Sequence, residues 1–304
     1  MNILYYILYG VGYLISLLPL TVLYLFSDLL FYLVYYIIRY RRKIVWENLT
    51  SSFPEKDAFT LRRIEKNFYH WFCDYIVETI KLFSVSKEWM RKHITFRGMD
   101  EIAERMQKED KNFCFVYLGH YCNWEWIASC AYWAPDWMLC AQIYHPLYSK
   151  AFDKLFLKIR SQYGGKNIPM KETLRTVLQL RQRKQKTLIG FISDQAPKWS
   201  SIHHFTEFLH RDTPFFIGTE RIGKKMDALI YYADVKRISR GYYLCEYKFV
   251  ANNIKDIPDY DLTDQYAKLL EKSIQSAPSF WLWTHNRWKR TKEEWLRRQE
   301  KAYR

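Results

Sequence analysis

The stretch Val116-Tyr-Leu-Gly-His-Tyr-Cys-Asn-Trp-Glu-Trp126 opens inside an apolar run that begins at Phe113 and changes character at Gly119. The run Phe113 to Leu118 has the length and composition of a buried strand, and the residues from Asn123 onward carry helical spacing. Asn123 is suited to cap that helix and Gly119 to ease the backbone between the two. Outward from this strand, turn and helix, the pattern repeats. Trp137 to Ile143, Thr187 to Ile192, Ala228 to Asp234 and Tyr242 to Val250 read as strands, while 123–132, 147–163 and 171–184 read as helices. Alternation of this kind predicts an α/β fold with a mixed central sheet flanked by helices.

His120 and Glu125 lie in the turn at the end of the first strand. On a continuous helix a separation of five residues leaves two side chains roughly 140° apart, so they can meet only across a turn. A carboxylate that fixes the tautomer of an imidazole and stabilises its protonated form makes that imidazole a general base, and His120 with Glu125 is the expected pair. The carboxyl ends of strands are also where open α/β sheets bind ligands.

Upstream, Asp28 is the one charged residue between Ile3 and Ile38, and Arg39, Arg41, Arg42 and Lys43 follow at once. The stretch exceeds the roughly 20 residues needed to span a bilayer, and its charges follow the apolar segment instead of preceding it as in a secretory signal. A membrane anchor over 1–40 is expected. Gly10, Gly12 and Pro19 leave open a single tilted span or a re-entrant hairpin. The cationic cluster places everything downstream on the cytoplasmic side. The remainder, 41–304, reads as a single domain: a helical bridge over 41–95, with an apolar stripe through Phe68, Trp71, Phe72, Tyr75, Ile76, Ile80 and Phe83, then a catalytic core over 96–290 and a charged tail helix over 291–304.

The chain of 304 residues carries 47 Lys and Arg against 32 Asp and Glu, a net charge of +15 that favours an anionic partner. With 12 Trp and 25 Tyr, residues suited to a membrane interface, lipid is a better candidate than nucleic acid, for which no binding module is present. The six cysteines form no C-x-x-C pair, which points to a reducing compartment instead of a disulfide framework.

Gly119-His120-Tyr-Cys-Asn123-Trp124-Glu125 resembles the H-x4-D/E motif, usually His-x-Gly-Asn-Trp-Glu, of the late lipid A acyltransferases, lauroyl and myristoyl transferases within the wider glycerolipid acyltransferase superfamily. Further blocks resemble the family in order: Arg41-Arg42-x5-Asn48-Leu49-x3-Phe53-Pro54, Glu78, Tyr144-His145-Pro146, Arg160-x3-Gly164, Asp194-Gln195 and Trp283-x-His285-x-Arg287-Trp288-Lys289. The resemblance implies a glycerolipid-acyltransferase-like fold at the bacterial inner membrane. It implies acyl transfer from acyl carrier protein or acyl-CoA to a hydroxyl of an anionic, sugar-based lipid precursor, with no metal or nucleotide cofactor. On that analogy His120 is the base and Glu125 its orienting partner. Arg160 binds acceptor phosphate or the developing oxyanion, Asp194 is a second carboxylate in the pocket, and Asn123, Gln195 and Arg287 contact substrate. The chain departs from the family at Cys122, usually Gly, at Asn286, usually Arg, and at Gly218-Thr-Glu220-Arg221, usually small and apolar.

Other readings are weaker on the residues themselves. A thiol nucleophile at Cys122 is disfavoured because residues two apart around a turn point apart. A metal at His203, His204 and His210 lacks companion ligands at suitable spacing, and no G-x-S-x-G elbow is present. A non-enzymatic membrane scaffold would not need His120 or Glu125. Among acyltransferases, a lyso-aminolipid, lysophospholipid or other glycolipid acceptor is the alternative.

Overall fold

The computed structural model describes residues 3–302. The apolar N-terminal stretch forms two helices, α1 (Ile3–Ser16) and α2 (Leu20–Tyr32), broken at Leu17–Pro19, where proline lacks the donor a continuous helix needs. A π-helical turn, Leu33–Ile37, extends α2, and Leu20–Ile37 is long and apolar enough to cross a membrane by length and composition. Met1 and Asn2 of the expected anchor lie outside the described residues.

Next come α3 (Arg42–Ser52), α4 (Ala58–Lys81) and α5 (Lys87–His93). Asp57 caps α4 through the Thr60 amide (2.7 Å) and Ser86 caps α5 through the Trp89 amide (3.1 Å). The expected apolar stripe lies on α4 and just beyond it, with Phe68 and Trp71 fully buried. A second, polar face of α4 is buried as well. Tyr35 bonds to Glu65 at 3.3 Å, Ser27 to Asp74 at 2.7 Å and Tyr24 to Glu78 at 2.7 Å, and Arg240 pairs with both Asp28 and Asp74 at 2.6 Å. Arg42 of the cationic cluster turns inward to Glu65 at 3.2 Å, whereas Arg39, Arg41 and Lys43 stay exposed.

The rest alternates: β1 (Ile94–Arg97), α6 (Met99–Lys108), β2 (Phe113–Leu118), β3 (Leu139–Tyr144), α7 (Lys150–Ser161), β4 (Lys166–Pro169), α8 (Thr173–Gln182), β5 (Thr187–Ile192), the hairpin β6 (Phe205–Phe208) and β7 (Arg211–Pro214), α9 (Gly218–Met226), β8 (Leu229–Ser239), β9 (Tyr242–Ala251), α10 (Asp261–Ser276) and α11 (Lys292–Ala302). The central sheet has seven strands in the order β1-β9-β8-β2-β5-β3-β4, and β8–β9 is its antiparallel pair. The sheet is therefore mixed and helix-flanked, as expected. β2 is buried at every position, which fits a central strand covered on both faces.

Strands 113–118 and 187–192 fall where the sequence places them, and the other three expected strands differ at their ends by a few residues. The expected helix at 123–132 is instead a 3-10 segment over Trp126–Tyr132, a short piece suited to tight connections. Glu125, not Asn123, stands at its N-terminal boundary, and the Asn123 side-chain oxygen accepts from the Trp126 amide at 3.3 Å. The polar departure at 218–221 has a structural use. Glu220 is buried and accepts from the Tyr260 amide (2.6 Å) and from the amide (3.0 Å) and hydroxyl (2.7 Å) of Thr263, capping α10 from outside. All six cysteines are free and buried. The expected tail helix is α11; Tyr303 and Arg304 lie outside the described residues.

Candidate active site

β2 and β5 are neighbouring parallel strands with Leu118 directly opposite Ile192. Two residues beyond each in-register end stand His120 and Asp194, so strand register brings them together without help from a loop. His120 Nδ1 lies 2.6 Å from Asp194 Oδ1, and the His120 backbone N–H donates to Oδ2 at 2.8 Å. The Trp281 indole N–H donates to the same Oδ2 at 2.8 Å. Burial works to raise the Asp194 pKa, but the charge and hydrogen bonds of His120, with the Trp281 and backbone donors, outweigh it and hold the carboxyl at about 2. An ionised Asp194 accepts a hydrogen bond from the Nδ1 proton and leaves a lone pair on Nε2, where the Gln195 amide nitrogen sits at 3.3 Å.

The expected contact between His120 and Glu125 is absent. Glu125 instead takes a two-pronged bond from Arg160 of α7, Nε to Oε2 at 2.8 Å and Nη2 to Oε1 at 2.6 Å. A guanidinium matches a carboxylate fork better than an imidazole does, and the Nδ1 side of His120 is already filled by Asp194. Arg160 is thereby partnered instead of free, and Glu125 outweighs the effect of burial and raises its pKa. Gly164 ends the helix turn after α7 with φ of +81°. The Trp124 ring lies edge-on to His120 with centroids 5.1 Å apart and stacks on Tyr75 at 4.2 Å, forming one wall of the site.

The turn between His120 and Glu125 is tightly held. Cys122 has φ of +50°, the left-handed region that a glycine there would occupy without strain. Its amide donates to the Phe280 carbonyl (2.8 Å), and the Leu282 amide donates to the His120 carbonyl (3.1 Å), so the 280–282 segment clasps the turn like a short strand. The Cys122 thiol is buried against the Val235 carbonyl at 3.5 Å, and burial raises its pKa, the opposite of an activated nucleophile. The clasp is secured from the N-terminal side, where Asn48 donates to the carbonyls of Trp283 (2.9 Å) and His285 (3.1 Å) and Arg41 to that of Thr284 (3.1 Å).

Two expected substrate contacts are placed elsewhere. Asn123 is fully buried with its amide nitrogen on Glu78 Oε2 at 2.7 Å, so its polar atoms serve the turn. Arg287 is fully buried beneath the Phe215 ring, donating to the Pro214 carbonyl at 2.6 Å; burial pushes its pKa down to about 10. Gln195 does face His120. His204 bonds to Asp264 at 2.7 Å and His210 sits in the β6–β7 turn, and among the described residues no group of three or more His, Cys, Asp or Glu could hold a metal.

Two participants have no role assigned from the sequence. Trp281 holds Asp194, and His285, inside the quoted closing block, accepts from the Ala196 amide at 3.1 Å while burial lowers its pKa to about 4, keeping it neutral. The period-2 spacing of Trp281 and Trp283, both buried, is the signal that would have marked the clasp as a short extended segment.

The arrangement is an imidazole bonded through Nδ1 to a buried carboxylate, with Gln195 at its other nitrogen, and a separate bonded Arg160–Glu125 pair at the far end of the same turn. No curated protein matches the chain. A family model described as bacterial lipid A biosynthesis acyltransferase matches residues 1–290, the whole of the site included. With a match of that extent, the chain belongs to the bacterial lipid A biosynthesis acyltransferase family.

Proposed function

We propose that this acyltransferase moves a fatty acyl chain from a thioester, on acyl carrier protein or coenzyme A, to a hydroxyl of a lipid A precursor at the cytoplasmic face of the inner membrane. The observation that carries the chemistry is the 2.6 Å contact of His120 Nδ1 with the buried Asp194 carboxylate. It leaves Nε2 as the base. The acceptor hydroxyl displaces Gln195 from Nε2 and gives up its proton as its oxygen attacks the thioester carbonyl. Asp194 stabilises the imidazolium so formed. Collapse of the tetrahedral intermediate forms the ester and breaks the C–S bond, and His120 returns the proton to the departing thiolate. Glu125 fixes the guanidinium of Arg160 through two of its five N–H groups, and the other three serve to meet negative charge on the carbonyl oxygen or on an acceptor phosphate.

A thioester is already activated, so orientation and charge stabilisation account for most of the work. The exposed side of α1, α2 and the π-helical turn, including Ile7, Leu14, Leu25, Phe26, Leu29 and Ile37, is the lipid-facing surface, with Arg39, Arg41 and Lys43 at the headgroups.

Mass spectrometry of lipids from a deletion strain tests the reading. Loss of one secondary acyl chain from lipid A, restored by wild type but not by His120→Ala, is expected. Unchanged lipid A together with an altered aminolipid or phospholipid would overturn the acceptor.

A further inference from the structure

Glu78, in the second half of α4, belongs neither to the His120–Asp194 pair nor to the Glu125–Arg160 pair. It is fully buried, and its carboxylate collects donors from three separate parts of the chain. The Tyr24 hydroxyl of α2 reaches Oε1 at 2.7 Å; the Tyr243 hydroxyl of β9 and the Asn123 amide of the catalytic turn reach Oε2, each at 2.7 Å. The Glu78 backbone carbonyl also accepts from the Trp126 indole at 3.3 Å. Among the described residues no cation lies within ion-pair distance of it. The nearest influence of that kind is Arg237, which is bonded to Asp74 at 2.8 Å.

A buried carboxyl without a counter-ion is expensive, and a position needed only for packing would favour an apolar side chain. What the carboxyl supplies is connection: one residue ties an N-terminal apolar helix to the turn that carries His120. The turn is also the place where coupling would matter, because Cys122 is held there in a left-handed conformation that neighbouring contacts must sustain.

We propose that Glu78 is a positioning residue through which the seating of α2 on α4 sets the geometry of the 120–126 turn, so that the enzyme is fully active only with its N-terminal helix in place. The kinetic part of this rests on the acyl-transfer reading above; the structural part does not.

Tyr24→Phe removes one hydroxyl and keeps the ring. In detergent micelles, amide exchange of residues 120–126 is expected to rise about tenfold while that of Thr187–Ile192 stays unchanged, since local opening is confined to the turn. The kcat is expected to fall about fivefold to tenfold, with the KM for the thioester donor unchanged. In a cycle of Tyr24→Phe with Asn123→Ala, the double variant is expected to lose little more than the larger single loss. Should Asn123→Ala not fold, Trp126→Phe takes its place with the same expectation. Unchanged exchange at 120–126, or losses that multiply in the double variant, would overturn the proposal. Wild-type protein that transfers no acyl chain would defeat the activity reading alone, because the exchange measurement still decides the coupling.

Discussion

Asp194 carries three donors on one buried carboxylate, and each has a different purpose: the bond to the His120 ring fixes that ring's tautomer, the His120 amide fixes the end of the strand, and Trp281 fills the second lone pair of Oδ2. Asp194→Asn preserves the shape but presents a donor to a ring nitrogen that must keep its proton, favouring the wrong tautomer. The expected outcome is a loss of about a hundredfold to ten-thousandfold in kcat with the folded state retained, measured by steady-state kinetics alongside thermal unfolding. His285 supplies a separate, pH-dependent effect. Its folded pKa is lowered from 6.5 to about 4, so the unfolded chain binds the extra proton between those values and stability must rise with pH across that window. The shift corresponds to about 3 kcal/mol. Unfolding midpoints of wild type between pH 4 and 6.5 should climb more steeply than those of His285→Gln. Every residue of the dyad was visible in the sequence, yet its pairing was not. Glu125 is the nearer carboxylate along the chain, whereas Asp194 reaches His120 through strand register, which no local segment encodes.

At the scale of elements, the turn after β2 is shaped from several sides. A Cβ on Gly119 would meet Leu270 Cδ1 of α10 at 2.6 Å and Asp194 Oδ2 at 3.3 Å, so Gly119→Ala must shift the buried Leu270 side chain and crowd the carboxylate. A destabilisation of about 1–3 kcal/mol is expected. Activity should fall beyond what the shifted melting temperature explains, as compared at a temperature where both proteins are folded. β2 and β5 were legible because continuous apolar runs bounded by polar residues have few other uses in a covered sheet. β1, β4 and the β6–β7 hairpin were not. Each is four residues long, and their pairing partners, more than their own composition, make them strands. The buried carboxylates of α4 were hidden for a related reason. Glu65, Asp74 and Glu78 resemble a solvated helix face until the N-terminal helices are laid upon them.

For the molecule as a whole, that last point changes how the N-terminal segment is understood. The sequence presents it as an anchor joined to an independent domain, whereas α2 buries its own polar residues against α4 and shares Asp28 with Arg240. Removing residues 1–38 would expose three carboxylates evolved for burial and leave Arg240 and Glu78 short of partners. Such a truncation is expected to aggregate or to remain inactive instead of yielding a soluble enzyme, as size-exclusion chromatography and an acyl-transfer assay would show. A soluble, fully active fragment would contradict both this expectation and the role given to α2. The alignment of Leu118 with Ile192 has a consequence of its own. Slipping one strand past the other by a single residue reverses which way its side chains point, so a misregistered sheet contains both His120 and Asp194 and has no dyad. Turnover therefore reports on whether two neighbouring strands have found their correct alignment, and its recovery after refolding should track that alignment more closely than it tracks the return of helix content.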